Sequence, residues 1–439
     1  VWDVPLPKAV TSSPLIVGDV LYTSSWDGIV YALNRLTGAE LWRFSTGARA
    51  VQAGVAQAPD GSLVVGDGEA VVWHLDTAGN VLWSRDLDLT NADHVWQTVT
   101  IHDGVVYVPI ASHSDVPCTK GRTIALDLAT GATLWTRFNV PEAGVCRNDT
   151  NVACTSSAEC PDGAECVNAL GGSVTGRIAV DPDGLSIYVN TVGCYTFPSV
   201  GDTDSIMKLN AATGALEWIQ RVSPREQFNY CVGSGVDCRT SADCPGATAC
   251  NPKLAYHDFG FLNGPHYINA LDPSGFFRPL LVSASKNGSV YAFDPETGNS
   301  VWTRQVLPAP VSPAFAGYGL FNSALAYSNR KFYAALYEFV PAVNPAPNHL
   351  MALSEIDGST VWSDEIGRSW SSPAVANGVL YVGTQTSPVL YSYDAKTGAR
   401  LGSYPLPQTS ASLGVVSNGH LYIGYGVGGT GGIRAYRVD

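Results

Sequence analysis

The sequence predicts an all-β chain assembled from eight copies of one four-stranded unit, and three observations carry that prediction. The first is a recurring turn, D-x-x-T-G or a close variant, whose glycine falls at Gly38, Gly79, Gly131, Gly214, Gly298, Gly358 and Gly398. The second is a tryptophan on the strand after each turn but the last: Trp42, Trp83, Trp135, Trp218, Trp302 and Trp362, with Gly402 in the seventh place. The third is composition. With 45 glycines, 27 prolines and only 14% charged residues, the chain suits many short strands joined by tight turns. A chain of 439 residues with no linker is too long for an ordinary single core. Repetition lets it grow without enlarging one.

Taken in order, the chain opens with V-W-D-V-P-L-P, a lone strand carrying Trp2. The first full unit follows: S-P-L-I-V-G-D-V-L-Y-T-S, then D-G-I-V-Y-A-L-N, then L-T-G-A-E-L-W. Apolar residues alternate with period two on either side of glycine hairpins, the pattern of half-buried strands. An eighth unit begins near Ser410 and stops before its outer Trp strand. Joining the first strand to the last unit resolves both loose ends and places Trp2 in one sheet with Leu421. The expected fold is therefore an eight-bladed β-propeller of four-stranded antiparallel sheets, one domain over residues 1–439, with no helix beyond about two turns. The outer tryptophans are expected to dock one blade on the next rather than to carry chemistry.

Two Cys-rich inserts, 142–168 and 225–253, follow the third and fourth units. One holds Cys146, Cys154, Cys160 and Cys166, the other Cys231, Cys238, Cys244 and Cys250, and the two read as similar segments. Polar, Gly- and Pro-rich inserts have no core and need staples, so two disulfides within each are expected, with the pairing open. Zinc is the rival, but no C-x-x-C knuckle is present and no His is placed to help. Cys118 and Cys194 occupy similar loops of neighbouring units and are expected to pair; the alternative is two separate buried thiols. Disulfides imply the periplasm, the cell surface or the outside of the cell. The start at Val1 without Met agrees with a removed signal peptide. No C-x-x-C-H occurs, so no haem attachment is expected. A net charge of −13 argues against a nucleic-acid partner, and no apolar run is long enough to span a membrane.

Candidate chemistry concentrates between Tyr256 and Trp302. There Asp258 follows His257, and Lys286 opens a K-N-G turn 28 residues later. The bland alternative makes Asp258 a turn cap and Lys286 a solvated hairpin residue. Trp96 and Trp370 each open the innermost strand of a unit, where an indole faces the axis and offers a stacking platform for something planar, or else a hydrophobic plug. Other inner-strand entrances are polar: Gln52, Gln97, Asn263, His266, Asn322 and Ser371. A polar funnel with aromatic walls fits a small-molecule or polymer-chain ligand. No G-x-G-x-x-G, P-loop or G-x-S-x-G in a strand–turn–helix setting is present, and His257–Asp258 has no evident partner Ser for a hydrolytic triad.

The A-x-D-x-x-T-G-x-x-x-W repeats resemble those of pyrroloquinoline-quinone (PQQ) enzymes and of the non-enzymatic propellers related to them. The resemblance covers nearly the whole chain outside the two inserts. The segments HDFG and SASKNGSVYAFD are similar to the part of the dehydrogenases that supplies a base and an amine, nearest to the polyvinyl-alcohol dehydrogenase-like group. That resemblance implies PQQ and calcium as cofactors, Asp258 as general base and calcium neighbour, and Lys286 as hydrogen-bond donor to the quinone oxygens. It implies oxidation of a small-molecule or polymeric alcohol, with electrons leaving to a separate cytochrome. Asp115, in SHSD, stands where a further oxygen ligand for the metal is expected. Two positions depart from the pattern: Thr175 stands in place of the floor tryptophan, and Gly193 in place of the calcium-binding asparagine. A lone Cys118 stands where the polyvinyl-alcohol dehydrogenase-like group carries a vicinal Cys pair. These departures keep a second expectation open, a non-catalytic propeller that scaffolds a surface or envelope assembly and binds protein partners.

Overall fold

The computed structural model describes residues 1–47, 50–114, 117–194, 200–222, 230–232, 238, 241–251, 260–306, 324–337 and 348–438. Seven blades follow one another along the chain, at 15–45, 56–86, 93–138, 179–221, 266–305, 326–364 and 374–405. Blade 8 takes Val415–Ser417, His420–Tyr425 and Gly431–Arg437, and its fourth strand is Trp2–Leu6. Trp2 lies opposite Ala435 in that pairing, so Trp2 and Leu421 share a sheet as the repeat pattern predicted. Blade 3 gains a short extra strand, Asp93–His94, paired with Ala111 and Ser112. The helices among the described residues are 3₁₀ turns of three residues each, all in the inserts.

Position in the blade explains the strand sequences. Middle strands such as Ile29–Asn34 and Leu63–Gly66 are packed on both faces and are almost continuously apolar. Outer strands such as Glu40–Ser45 alternate between exposed and half-buried residues. Each of the eight seams between blades has its own apolar cluster, so the molecule has eight thin cores. The closing seam packs Leu21, Tyr31 and Leu33 of blade 1 against Tyr422, Ile433 and Ala435 of blade 8.

Seven seams share one joint. The ring of Trp42 covers Gly79 of the next blade, and its indole N–H donates to the Thr77 carbonyl at 3.0 Å. Trp83, Trp135, Trp218, Trp302 and Trp362 repeat the contact on Gly131, Gly214, Gly298, Gly358 and Gly398, and Trp2 repeats it on Gly38. A Cβ on Gly298, whose φ is +70°, would stand 2.8 Å from the Trp218 ring, so the turn needs glycine for both its backbone and the approach. Gly402 breaks the series for a physical reason. The eighth blade joins its third and fourth strands by pairing Gly431–Arg437 with Trp2–Leu6 instead of by a turn, so no turn glycine awaits an indole. Tyr404 packs on Tyr436 there instead, with ring centroids 5.5 Å apart, and the Tyr436 hydroxyl donates to the Pro405 carbonyl.

Among their described residues the two inserts share one arrangement of bridges. In each, the first cysteine bonds the third and the second bonds the fourth: Cys146–Cys160 with Cys154–Cys166, and Cys231–Cys244 with Cys238–Cys250. Ser157 and Ser241 accept the backbone N–H of Cys166 and Cys250 at 3.0 and 3.1 Å. Three sulfurs of each quartet lie close enough together to suggest a metal site, but as disulfides they offer no thiolate. Cys118 and Cys194 form the fifth bridge, Cα atoms 5.8 Å apart, between a loop of blade 3 and a loop of blade 4.

Candidate cofactor site in the axial channel

A cavity of about 1720 Å³ runs along the propeller axis, and the segments entering the innermost strands of all eight blades line it. One repeated backbone joint builds its rim. In six blades, a residue just after the second strand donates its N–H to a carbonyl on the segment that leads into that blade: Trp26 to Ala9, Gly68 to Ala50, His113 to Ala92, Lys286 to Gly260, Gln385 to Arg368 and Gly426 to Thr409. The lead-in segment also bonds to the preceding blade, as Val51 N–H does to Ser25 and Val10 N–H to Tyr425 across the closing seam. In blades 1, 3 and 5 the residue at this joint, Trp26, His113 and Lys286, also lines the cavity, so the residue type at that position decides the chemistry there.

Lys286 holds this position in blade 5, nearly buried and in the cavity wall. Trp26 holds it in blade 1, with its indole N–H on the Thr11 hydroxyl at 2.8 Å. The two turns are superposable in their bonding: Gly28 to Ser25 and Gly288 to Ser285, Ser25 to Ile29 and Ser285 to Ser289. His113 holds the position in blade 3. Its ring stacks on Trp96 with centroids 5.9 Å apart and planes 15° apart, and its Nδ1 lies 3.1 Å from Nδ1 of His94. Burial first, and then His113, pushes the pKa of His94 down to about 3, so the ring is neutral. Its Nδ1–H donates to the Gly68 carbonyl at 3.0 Å. The Trp96 indole N–H donates to the Ser112 carbonyl at 2.7 Å, which fixes the ring plane. Beneath this corner Arg122 and Asp93 form a fully buried ion pair at 2.7 Å, with Thr90 and Thr119 hydroxyls on the same carboxylate. Burial alone would raise the Asp93 carboxyl, but the guanidinium and these donors hold it below its ordinary value.

Of the residues singled out from sequence, the structure brings Trp96, Trp370, Lys286, Thr175, Gly193 and Cys194 into this one wall. The innermost strands begin at Thr100 and Ala374, so Trp96 and Trp370 sit on the lead-in segments just before them. Gln385 accepts the backbone N–H of Trp370 and so sets that indole in place, while Tyr337 covers it at 4.7 Å. The Thr175 hydroxyl donates to the Leu262 carbonyl at 3.0 Å, and the Gly193 N–H donates to Asp204 at 3.2 Å. Asp258, His257, Asp115 and Asn322 lie outside the described residues. Trp26, His113 and Arg177 were not singled out from the sequence, although T-S-S-W-D-G and S-A-S-K-N-G align residue for residue and point to Trp26 through Lys286.

Charge and unmet polarity mark the wall. Its fully charged residues, among those described, are Lys286 and Arg177, with His102, His113 and His266 beside them and no carboxylate. The chain as a whole carries −13. Two buried polar groups in the wall have no partner among the described residues: the Gln52 amide and the Trp370 indole N–H. Cations, indole faces and unpaired donors fit a planar anionic ligand, because each of these groups gains what burial took from it. Calcium takes about 6–8 oxygen ligands. The described lining residues offer it no carboxylate, and the expected ligands Asp115 and Asp258 lie outside the described residues.

Among known proteins, the family model described as outer membrane protein assembly factor BamB matches residues 26–177 and 286–434. A polyvinylalcohol dehydrogenase from Sphingopyxis sp. (strain 113P3) is 30% identical over 322 residues, which cover 70% of this chain and 46% of that protein. The quinohemoprotein alcohol dehydrogenase ADHIIG from Pseudomonas putida HK5 superposes with a TM-score of 0.76 at 18% identity, over 100% of this chain and 75% of the other. BamB from Moraxella catarrhalis superposes with a TM-score of 0.60 at 15% identity, over 99% and 98%. At such identities the structural likeness speaks to the fold alone. The chain spans about half the length of the curated relatives it matches. Since the family model accounts for well over half of its residues and the repeats build the matching ring, the chain belongs to the PQQ-like eight-bladed propeller family.

Proposed function

We propose that this protein is an exported quinoprotein-type alcohol dehydrogenase that binds PQQ in the axial cavity. The observation that carries the reading is the cavity wall: two cations, three indoles and no carboxylate among its described residues, inside an acidic protein. PQQ is planar and carries carboxylates, and when bound it supplies an ortho-quinone able to accept a hydride from an alcohol carbon. Lys286 would hold it through a charge-assisted hydrogen bond, and Trp96 or Trp370 would stack on its plane. Asp258 is the proposed general base, since an alcohol gives up its hydride only as its hydroxyl proton is taken. Thr175 is too small to serve as the floor, so one of the other indoles must replace it. Calcium remains attached to the proposal through Asp115 and Asp258, and no step is derived through it. Five disulfides support export to an oxidising compartment, the periplasm or the outside. No helix among the described residues is long and apolar enough to cross a membrane. Electrons would pass to a separate cytochrome.

The second reading is a non-catalytic scaffold that binds protein partners in an envelope assembly. It is favoured by Thr175 and Gly193, whose polar groups are already bonded within the protein, and by the description of the matching family model. One experiment separates the two: calorimetric titration of the full chain with PQQ in excess calcium, followed by dye-linked oxidation of primary and secondary alcohols. Saturable uptake and turnover are expected. No uptake under these conditions removes the enzyme reading and leaves the scaffold.

A further inference from the structure

We infer that the channel wall at Trp26 is a subsite for a neutral saccharide, with one pyranose ring stacked on the indole. The inference goes beyond the quinone reading and stands without it. Ten of the eleven tryptophans have another aromatic or imidazole ring against them. Trp26 has none among the described residues, and it belongs to none of the apolar clusters that fill the seams. It is nevertheless half-buried and lines the axial cavity. Scaffold packing does not account for it.

What holds Trp26 is polar. Its backbone N–H donates to the Ala9 carbonyl at 3.0 Å, and its indole N–H donates to the Thr11 hydroxyl at 2.8 Å. The second bond grips the ring by its edge, so neither face is taken by it. The blade 2 lead-in is tied to the same turn. Val51 donates its N–H to the carbonyl of Ser25 at 3.0 Å, one residue before Trp26, and Gln52 comes next in the wall. Gln52 is 5% exposed, and neither end of its amide has a partner among the described residues. A buried amide unmet at both ends is costly, and a group that both donates and accepts offsets that cost. A Cβ on Gly54 would stand 2.5 Å from the Thr98 hydroxyl and 3.3 Å from the Ser13 carbonyl, so the lead-ins of blades 1, 2 and 3 close into one patch of wall.

The lining residues of the blade 1 and blade 2 lead-ins carry no charge, so an anion has nothing to pair with there. The cation Lys286 stands at the same turn position in blade 5, which faces blade 1 across a ring of eight. A pyranose fits this neutral sector on both counts. Its C–H face is flat and apolar and packs on the electron-rich face of an indole, while its rim hydroxyls donate and accept. An aryl ring matches the indole but leaves the amide unmet.

The test is calorimetric titration of the full chain, without quinone, with cellobiose and with maltose. Saturable binding of at least one sugar is expected. Trp26→Phe keeps a flat face and should bind within about threefold of wild type, whereas Trp26→Leu, apolar but without a face, should bind at least about tenfold more weakly. Gln52→Leu should lose about fivefold, the worth of a neutral hydrogen bond. Equal binding by Trp26→Phe and Trp26→Leu, or unchanged affinity in Gln52→Leu, overturns the subsite. The melting temperature of Trp26→Leu should stay within about 2 °C of wild type. A larger fall would make the indole a structural brace and overturn the subsite too. So does a wild type that binds neither sugar; uptake of benzyl alcohol in its place assigns the indole to an aryl ligand. PQQ uptake is measured separately. Its failure leaves a positive sugar titration standing, and failure of the sugars leaves the quinone titration standing.

Discussion

Lys286 and Trp26 occupy one turn position on two blades of the ring, and the fold holds both by the same backbone bonds. What differs is the side chain presented to the axis, a cation in one blade and a flat ring in the other. If Lys286 holds the quinone, Lys286→Ala should weaken PQQ binding by about 1.5–3 kcal/mol, the worth of a charge-assisted hydrogen bond, as read by calorimetry. Asp258→Asn should leave PQQ binding intact and abolish alcohol oxidation, since an amide cannot take the proton. Equal loss of binding and turnover in that variant would make Asp258 a ligand rather than a base. Lys286 was legible in the sequence because it stands in a K-N-G turn beside a family-like segment. Arg177 was not, because it belongs to no repeated pattern. Only the fold shows that it lines the same channel as Lys286.

The seams are the working elements of this fold, and the tryptophan on each outer strand is their joint. Trp302 is the most buried of the six that follow turn glycines, with its N–H on the Glu355 carbonyl at 3.1 Å and its ring on Gly358. Glu355 also accepts from the Leu271 backbone, the Tyr327 hydroxyl and Arg330, so this residue ties blade 5 to blade 6 through its backbone and its carboxylate. Trp302→Ala should therefore cost about 3–5 kcal/mol, the range for emptying a buried aromatic site, measured by urea unfolding. The inserts behave oppositely, because their sulfur clusters are separate from all eight seam cores. Replacing Cys154 and Cys166 together by Ala should loosen 144–167, seen as proteolytic cleavage there, while the melting temperature of the blades moves by no more than about 2 °C. A collapse of the whole ring would show that the insert braces it. Turn glycines and outer tryptophans were readable because each seam needs the same contact, so the signal repeats seven times. The order of disulfides within the inserts was not, because sequence spacing alone admits every pairing.

At the scale of the whole molecule, the ring buries titratable rings between blades and along its axis, and this sets how stability depends on pH. His94 is fully buried under the Trp96 corner, and burial with His113 nearby holds its pKa at about 3 against an ordinary 6.5. His266 is held at about 4 beside Arg177, and burial lowers His74 as well. An unfolded chain protonates these rings near 6.5, whereas the folded chain resists until far lower pH. Unfolding therefore takes up protons throughout this interval, and stability falls as pH drops from 6.5 toward 3–4. Each ring contributes up to about 1.4 kcal/mol per pH unit within its window. Carboxylates whose pKa is lowered in the fold, such as Asp76, Asp127 and Asp394, act only below their ordinary 3.8. Asp67, raised by burial, works in the opposite direction. The interval between pH 6.5 and about 4.5 is thus governed mainly by histidine. Urea unfolding at pH 7, 6 and 5 should show wild type losing stability on acidification. His94→Asn, which removes one of these rings, should lose less across the same interval, by up to about 1.4 kcal/mol per unit. A variant with the same slope as wild type would mean that His94 takes up its proton in the folded state, and that the ring pair beneath Trp96 is open to water.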